Sequence, residues 1–309
     1  MNIKNRQIGP GEPCFIIAEG GVNHNGDINL AKKIIDAAVE IGADAIKFQT
    51  WITEEIVTKY SEKAEYQKEN WGGDSFYDEI KKLELPLEAF KELFAYAQSK
   101  GIICLSTPDD VTSLNYLIDE CDMSAIKVGS GVVTDHKVLK AINNAAAKKH
   151  IPVFLSTGMS DMEEVKYAVN LLSDVRKQNN LVLLHCVSNY PAAIEDVNLL
   201  AMKTLESEFN VPIGYSDHTL DIVTPIAAVA LGGCVHEKHF TIDKNLPGPD
   251  HQASLNPVEF KEAIDNIRKT EILLGQGDKK PVENELEVKR VIRRSIVAKS
   301  KLLAGSILR

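Results

Sequence analysis

Short apolar segments alternate with amphipathic helical segments along the chain from residue 14 to about residue 273. Most of the apolar segments are continuous rather than alternating, which is typical of parallel strands buried on both faces. The predicted strands are CFIIAE (14–19), AIKFQ (45–49), IICLS (102–106), SAIKV (124–128), PVFLS (152–156), LVLLH (181–185), VPIGY (211–215) and CVHEKH (234–239).

The segments between these strands have helical periodicity. Residues 28–41 carry one apolar face, and Asp27 before them is the predicted N-cap. Ser160 and Glu163 predict a capping box that opens a helix at 161–172. Eight strands with helices between them predict the α/β fold class and a closed (β/α)8 TIM barrel, and an open doubly wound sheet is the weaker alternative.

Three segments depart from this alternation. The N-terminal IKNRQIG predicts a short hairpin that covers the barrel floor. Residues 50–86 are too long for an ordinary βα loop and predict a lid or an interface segment. Residues 1–275 are predicted to form the barrel, and 276–309 a charged linker with some helix, followed by a strand that begins a further domain.

Composition and charge narrow the class of protein. The 309 residues are 44% hydrophobic and 26% charged, as in globular proteins with a large core. A net charge of -9 argues against nucleic acid as the main partner. The chain has no apolar run long enough for a signal peptide or a membrane span. Its five cysteines follow no CxxC spacing, which indicates reduced thiols and a cytoplasmic location.

Polar residues end all eight predicted strands, and the carboxyl ends of the strands carry the active site in barrels of this class. Lysines, hydroxyls and glycine-flanked amides together suit a phosphate or a carboxylate. Glu19 and Asp250 supply carboxylates for proton transfer or for binding hydroxyls. The strand-end candidates are Glu19, Lys47, Gln49, Thr107, Lys127, Ser130, Ser156, His185, Ser188, Tyr190, Ser216, His218, Glu237 and His239.

Two histidines carry the prediction of a metal site. His218 and His239 follow neighbouring strands, so both imidazoles can reach one divalent ion and leave coordination positions open for substrate or water. Spacing alone fits a structural role for this pair equally well. His185 fits either the site or a structural hydrogen bond at a strand end.

The motifs at these strand ends resemble the N-acetylneuraminate (sialic acid) synthase family. They run in the family's order over nearly the whole barrel, and bacterial legionaminic acid synthases share them. Pseudaminic acid synthases are more distant, because they lack the segment found here at 248–251. The motifs are AEGGVNHNGD, AIKFQT, LSTPDD, IKVGSG, LSTGM, LLHCVSNYP, GYSDHT and EKHFTIDKNLPGPDHQASLNP.

The resemblance implies an enzyme that uses Mn2+ or another divalent ion to condense phosphoenolpyruvate with an open-chain N-acetylmannosamine-type sugar and releases phosphate. It implies His218 and His239 as metal ligands and Glu19 as the carboxylate at the reacting centre. Gln49, Tyr190 and Asp250 match positions near the acceptor sugar. The positions that match the phosphoenolpyruvate site are Lys47, Thr107, Lys127, Ser130, Ser156, Ser188 and Ser216.

Three positions depart from the family pattern. Val132 stands where a Glu is usual, Asp109 where an aromatic Phe is common, and Gly20 in a variable position. Val132 is expected to remove a polar contact from the pocket. Full-length members carry a C-terminal antifreeze-like domain that covers the partner's active site in a homodimer, and residues 276–309 are expected to be the linker and first strand of such a domain, truncated in this chain.

Three functions therefore compete. The first is a synthase of a sialic-acid-type nonulosonic acid. The second is the legionaminic acid version, which uses a diacetamido-trideoxy hexose, or a version that uses a phosphorylated sugar. The third is an impaired barrel that binds metal and phosphoenolpyruvate as a scaffold subunit. Departures at Val132 and Asp109 favour the scaffold, and retention of Glu19, Lys47 and the histidine pair argues against it.

Overall fold

The computed structural model describes residues 1–62 and 75–307 of the chain. They form two compact units, Met1–Leu273 and Leu274–Arg309. None of the helices in these described ranges has the length and apolar character that a membrane span requires.

Eight parallel strands close into a barrel, which confirms the predicted fold class. Each strand pairs with its neighbours along the chain, and the last pairs with the first. The short antiparallel strands β1 (Asn2–Ile3) and β2 (Arg6–Gln7) precede it. The barrel strands are β3 (Phe15–Gly21), β4 (Ala45–Thr50), β5 (Ile103–Pro108), β6 (Ile126–Val128), β7 (Val153–Ser156), β8 (Leu181–His185), β9 (Ile213–Asp217) and β10 (Val235–His239).

Helices surround the strands, and their ends follow local capping rules. Asp27 caps α1 as predicted, accepting from the amide of Asn29. The predicted capping box at Ser160 is displaced by one residue, because Asp161 and Glu164 make both reciprocal bonds. The helices that the structure describes up to Leu274 are α1 (Ile28–Ile41), α2 (Thr53–Ile56), α3 (Phe76–Leu83), α4 (Leu87–Lys100), α5 (Val111–Asp119), α6 (His136–Lys149), α7 (Met162–Leu171), α8 (Ser173–Lys177), α9 (Leu200–Phe209), α10 (Val223–Ala230) and α11 (Pro257–Leu274).

Two apolar cores divide between the faces of the strands. One fills the space between strands and helices, as Ile16 and Leu183 do. The other fills the lower interior of the barrel, where Phe15 and Phe154 pack at 6.2 Å between ring centroids. Ile3 and Ile8 belong to the interior core, so the hairpin β1–β2 plugs the floor, as its sequence predicts.

The second compact unit begins at Leu274. It contains the helix α12 (Glu283–Ile292), and within 293–307 the structure describes turns and irregular backbone rather than a strand. Assignment of 276–309 to the start of a further domain stays a prediction.

Gly214 of β9 tests how tightly the barrel interior is packed. A Cβ at this position would lie 2.4 Å from the Val235 carbonyl oxygen, a backbone atom that cannot rotate away. Gly214→Ala is therefore expected to lower the free energy of unfolding by about 2 kcal/mol or more in urea titrations. Gly131→Ala, where a Cβ meets no atom within 4 Å, is the control. Equal losses in the two variants would contradict the packing argument.

Candidate active site

The strand register brings the polar residues of β3, β4 and β10 to one level of the barrel. The Cα of Glu19 is paired with Lys47 on one side and with His239 on the other. After Glu19 the register of β3 shifts, and Gly21 takes a left-handed backbone with φ of 48°. A Cβ at Gly21 would lie 3.2 Å from Glu19 Oε1 and 3.6 Å from Asp250 Oδ2, so this bulge leaves room for both carboxylates.

Two lysines and two glutamates form a buried charge cluster above the apolar floor. Lys47 Nζ lies 2.6 Å from Glu19 Oε2 and 3.7 Å from Glu237 Oε2. Lys127 Nζ lies 3.6 Å from the other oxygen of Glu237. Lys47 also donates to Thr107 Oγ1 at 2.8 Å. Each cation is thereby compensated in an interior where an isolated charge would be costly.

The two glutamates of the cluster have pKa values shifted in opposite directions. Burial raises the pKa of Glu19 to about 7, although Lys47 draws it down. Burial also raises the pKa of Glu237, but the Lys127 and Lys47 ammoniums outweigh it and hold that pKa below its ordinary value. Glu19 can therefore take or give a proton near neutral pH while Glu237 stays ionised.

Asp109 adds a third carboxylate at the edge of this cluster. Burial raises the pKa of Asp109 to about 7, against the attraction of Lys47. A Cβ on Gly129 would lie 3.9 Å from Asp109 Oδ1, which places the carboxylate beside the turn after β6. The sequence singled out Asp109 only as a departure from the family pattern and assigned it no role.

The predicted histidine pair is assembled. The rings of His218 and His239 lie 5.6 Å apart between centroids, and the ring of Tyr190 packs 4.2 Å from His218. Burial lowers the pKa of His218 to about 4 and that of His239 well below its ordinary value, so both imidazoles are neutral at pH 7. Neutral imidazole is the form that binds a metal ion.

The hydrogen bonds of the pair fit a divalent ion. His218 Nδ1 donates to the Val187 carbonyl at 2.5 Å, which leaves Nε2 with a lone pair. His239 Nδ1 is buried without a hydrogen-bond partner among the described residues and lies 3.7 Å from Asp250 Oδ2. No group of three or more His, Cys, Asp or Glu ligands occurs in 1–62 and 75–307. A divalent ion held by this pair of imidazoles would have its other coordination positions open to substrate or water.

Several serine hydroxyl groups line the same site. Ser156 Oγ and Ser188 Oγ are buried and have no hydrogen-bond partner among the described residues. Ser130 Oγ lies 3.2 Å from Cys186 Sγ and accepts from the amide of Gly158 at 3.1 Å. With Lys127 close by, these donors suit the oxygens of a phosphate group.

All these groups open into one central cavity of about 400 Å³ at the carboxyl ends of the strands. It is lined by every residue to which the family resemblance assigns a role except Asp250, which lines an adjoining side pocket of about 160 Å³. Glu237 and Met159 also line the central cavity and were given no role from the sequence. The predicted residues in the central cavity are Glu19, Lys47, Gln49, Thr107, Lys127, Ser130, Ser156, Ser188, Tyr190, Ser216, His218 and His239.

Two residues that the sequence analysis associated with the site, His185 and Val132, do not line the central cavity. His185 points to the helix side of β8, where its Nε2 donates to the Val197 carbonyl at 2.7 Å, so the structural alternative holds. Val132 is buried in the apolar layer between strands and helices and is absent from the cavity lining. Its expected effect on the pocket is therefore not direct.

Comparisons with known proteins show which family the chain is similar to. The model of the family described as "NeuB family" matches residues 34–279. The chain is 49% identical to the N,N'-diacetyllegionaminic acid synthase of Legionella pneumophila, over 95% of this chain and 82% of that protein. It is 44% identical to the Campylobacter jejuni synthase of the same name, over 95% and 87%. The crystal structure of the N-acetylneuraminic acid synthetase of Leptospira borgpetersenii matches with a TM-score of 0.80 and 34% identity, over 96% and 98%.

The raised pKa of Asp109 predicts a pH-dependent stability. The unfolded chain ionises this carboxyl near pH 4 and the folded chain near pH 7, so stability is lost as pH rises through this window. Asp109→Asn does not titrate. Its free energy of unfolding relative to wild type should therefore rise from pH 4 to pH 7, by on the order of 1 kcal/mol after allowance for solvent screening.

Urea unfolding of the metal-free protein at pH 5, 6, 7 and 8 measures this difference. The control is Asp119→Asn, which removes an exposed carboxylate and measures the effect of the charge change by itself. A constant difference between Asp109→Asn and wild type across the series would show that burial does not perturb this carboxyl.

Proposed function

The chain belongs to the NeuB family, and from this premise we propose that it is a metal-dependent nonulosonic acid synthase that condenses phosphoenolpyruvate with an N-acetylmannosamine-type sugar. The observation that carries the proposal is the single cavity. Lysines and hydroxyls suited to a phosphate, two neutral imidazoles and a carboxylate of perturbed acidity all line it.

The two substrates would occupy opposite sides of the cavity. Lys127, with the serine hydroxyls, would bind the phosphate of phosphoenolpyruvate, and Lys47 with Thr107 its carboxylate. Gln49, Tyr190 and Asp250 would orient the open-chain sugar. His218 and His239 would hold the divalent ion, which when bound polarises the sugar's aldehyde and stabilises the developing alkoxide.

The reaction forms one carbon–carbon bond and breaks one carbon–oxygen bond. The methylene carbon of phosphoenolpyruvate attacks the aldehyde carbon, and the aldehyde oxygen takes up a proton. Water adds to the cationic carbon that bore the phosphate, loses a proton, and inorganic phosphate leaves with cleavage of that carbon–oxygen bond. Glu19, with its pKa of about 7, is positioned to exchange these protons, while Lys47 keeps its negative charge compensated.

A second acceptor class is supported by the relatives. The two named N,N'-diacetyllegionaminic acid synthases are more similar to this chain than the named N-acetylneuraminic acid synthetase is. This ranking favours a diacetamido-trideoxy hexose as acceptor. Assembly of Glu19, Lys47, Lys127 and the histidine pair in one cavity argues against the scaffold alternative. Manganese, a homodimer and a cytoplasmic location stay predictions.

Phosphate release tests the function. With phosphoenolpyruvate, Mn2+ and an acceptor sugar, we expect release that requires all three components, because the carbon–oxygen bond breaks only after the new carbon–carbon bond has formed. A panel of N-acetylmannosamine, its 6-phosphate and a diacetamido-trideoxy hexose identifies the acceptor. Measurable metal binding without release from any acceptor would favour the scaffold.

Removal of one imidazole tests the metal assignment. His239→Ala is expected to lower kcat/KM at least about 100-fold, since a preorganised stabiliser of developing charge is typically worth that much. EDTA should abolish wild-type activity, and added Mn2+ should restore it. His136→Ala, on the exposed start of α6, is the control and should retain wild-type activity. Unchanged turnover in His239→Ala would remove the assignment.

A further inference from the structure

The side pocket differs in character from the central cavity that it adjoins. It shares Gln49, Asp109, Tyr190 and His239 with that cavity, so a ligand at the histidine pair can extend into it. Its remaining wall is almost wholly apolar. The residues that the side pocket alone contributes are Val22, Trp51, Ile56, Ile80, Leu83, Pro249 and Asp250.

Most of this apolar wall comes from the long excursion after β4. Trp51 precedes α2 and Ile56 ends it, and Ile80 and Leu83 lie on α3. The volume of about 160 Å³ is several times the roughly 30 Å³ share of one water molecule, so a substituent of several heavy atoms can enter. The excursion that the sequence marked as irregular therefore contributes directly to the site.

Backbone and side-chain contacts fix this wall in place. Thr53 donates to Glu84 Oε2 from its amide at 2.9 Å and from its hydroxyl at 2.5 Å, which ties α2 to the end of α3. Gly26, with φ of 72°, allows α3 to pack closely, because a Cβ there would lie 2.5 Å from the Lys82 carbonyl oxygen. The pocket is thus preformed rather than a gap between loosely held loops.

The chemistry of the pocket selects one kind of substituent. A hydroxyl-bearing sugar terminus would lose hydrogen bonds to water against Ile80 and Leu83 without recovering them. An acylamino group suits the pocket better, because its methyl gains from the apolar wall while its polar atoms stay at the mouth. There the carboxylate of Asp109 can accept from an N–H, and the side-chain amide of Gln49 can donate to a carbonyl oxygen.

We propose that the side pocket is the specificity subsite for a second acylamino substituent of the acceptor sugar, with Ile80 and Leu83 of α3 as its determinants. This inference rests on the proposed synthase function and assigns a role to the described parts of the excursion, 50–62 and 75–86; residues 63–74 of the predicted lid or interface segment lie outside the described residues. It makes the apolar face of α3 a specificity element that acts on the acceptor alone and leaves phosphoenolpyruvate binding untouched.

Filling the pocket tests the proposal. Phosphate release is measured for wild type, Ile80→Trp and Ile80→Ala with phosphoenolpyruvate, Mn2+ and either N-acetylmannosamine or its diacetamido-trideoxy analogue. With the diacetamido sugar, Ile80→Trp should lower kcat/KM at least about 10-fold, because the acceptor KM rises. The KM for phosphoenolpyruvate should stay unchanged. Ile80→Ala should raise the acceptor KM about 3-fold or more. Lys82→Trp, on the same helix with a side chain 68% exposed, is the matched control and should stay within about 2-fold of wild type.

The outcomes distinguish a failure of the subsite proposal from a failure of the proposed synthase function. A wild type that releases phosphate with neither sugar overturns the proposed synthase. A wild type that uses only N-acetylmannosamine, or that uses the diacetamido sugar with an acceptor KM unaffected by both Ile80 variants, overturns the subsite and leaves the synthase standing. Circular dichroism melts of each variant confirm that the fold is retained, and the smaller Ile80→Ala decides the matter if Ile80→Trp does not fold.

Discussion

Closure of eight parallel strands forces every second side chain of each strand into one shared interior. In the lower half of that interior the side chains are apolar, as Phe15, Leu105 and Phe154 are, and the hairpin residues Ile3 and Ile8 close it from below. Above them the same inward positions carry charge. The barrel thus holds its ionised groups over an apolar floor, in a cavity at the carboxyl ends of the strands.

Charged side chains in the barrel interior are stable only where an opposite charge lies close by. Lys47 lies between Glu19 and Glu237, and Lys127 faces Glu237, so no ammonium in the cluster lacks a carboxylate. This mutual compensation also gives the two glutamates different acidities, since Glu237 is flanked by two cations and Glu19 mainly by one. The stability of the site and its capacity for proton transfer arise from the same arrangement.

Chemistry and selectivity come from different parts of the fold. The charge cluster and the histidine pair lie on strands or directly after them, where the barrel fixes their positions. The side pocket is built by the excursion after β4, which packs on the loop at Gly26 through a backbone contact that a Cβ would prevent. Under the proposed function, variation in the excursion would change the acceptor without disturbing the groups assigned to metal and phosphoenolpyruvate.

Much of this was determined by the sequence alone, because buried parallel strands leave a periodic apolar signal and because barrel chemistry lies at strand ends. All eight strands were predicted, and twelve of the thirteen predicted site residues line the central cavity, with Asp250 in the pocket beside it. The direction of each side chain was decided only by tertiary structure. His185 and His239 both end strands, yet one faces the helices and the other the cavity, since the pleat and register of each strand set that orientation. Asp109 lines the cavity and Val132 is buried between strands and helices, which the sequence pattern did not distinguish. The side pocket depends on contacts between segments far apart in the chain, which no local pattern encodes.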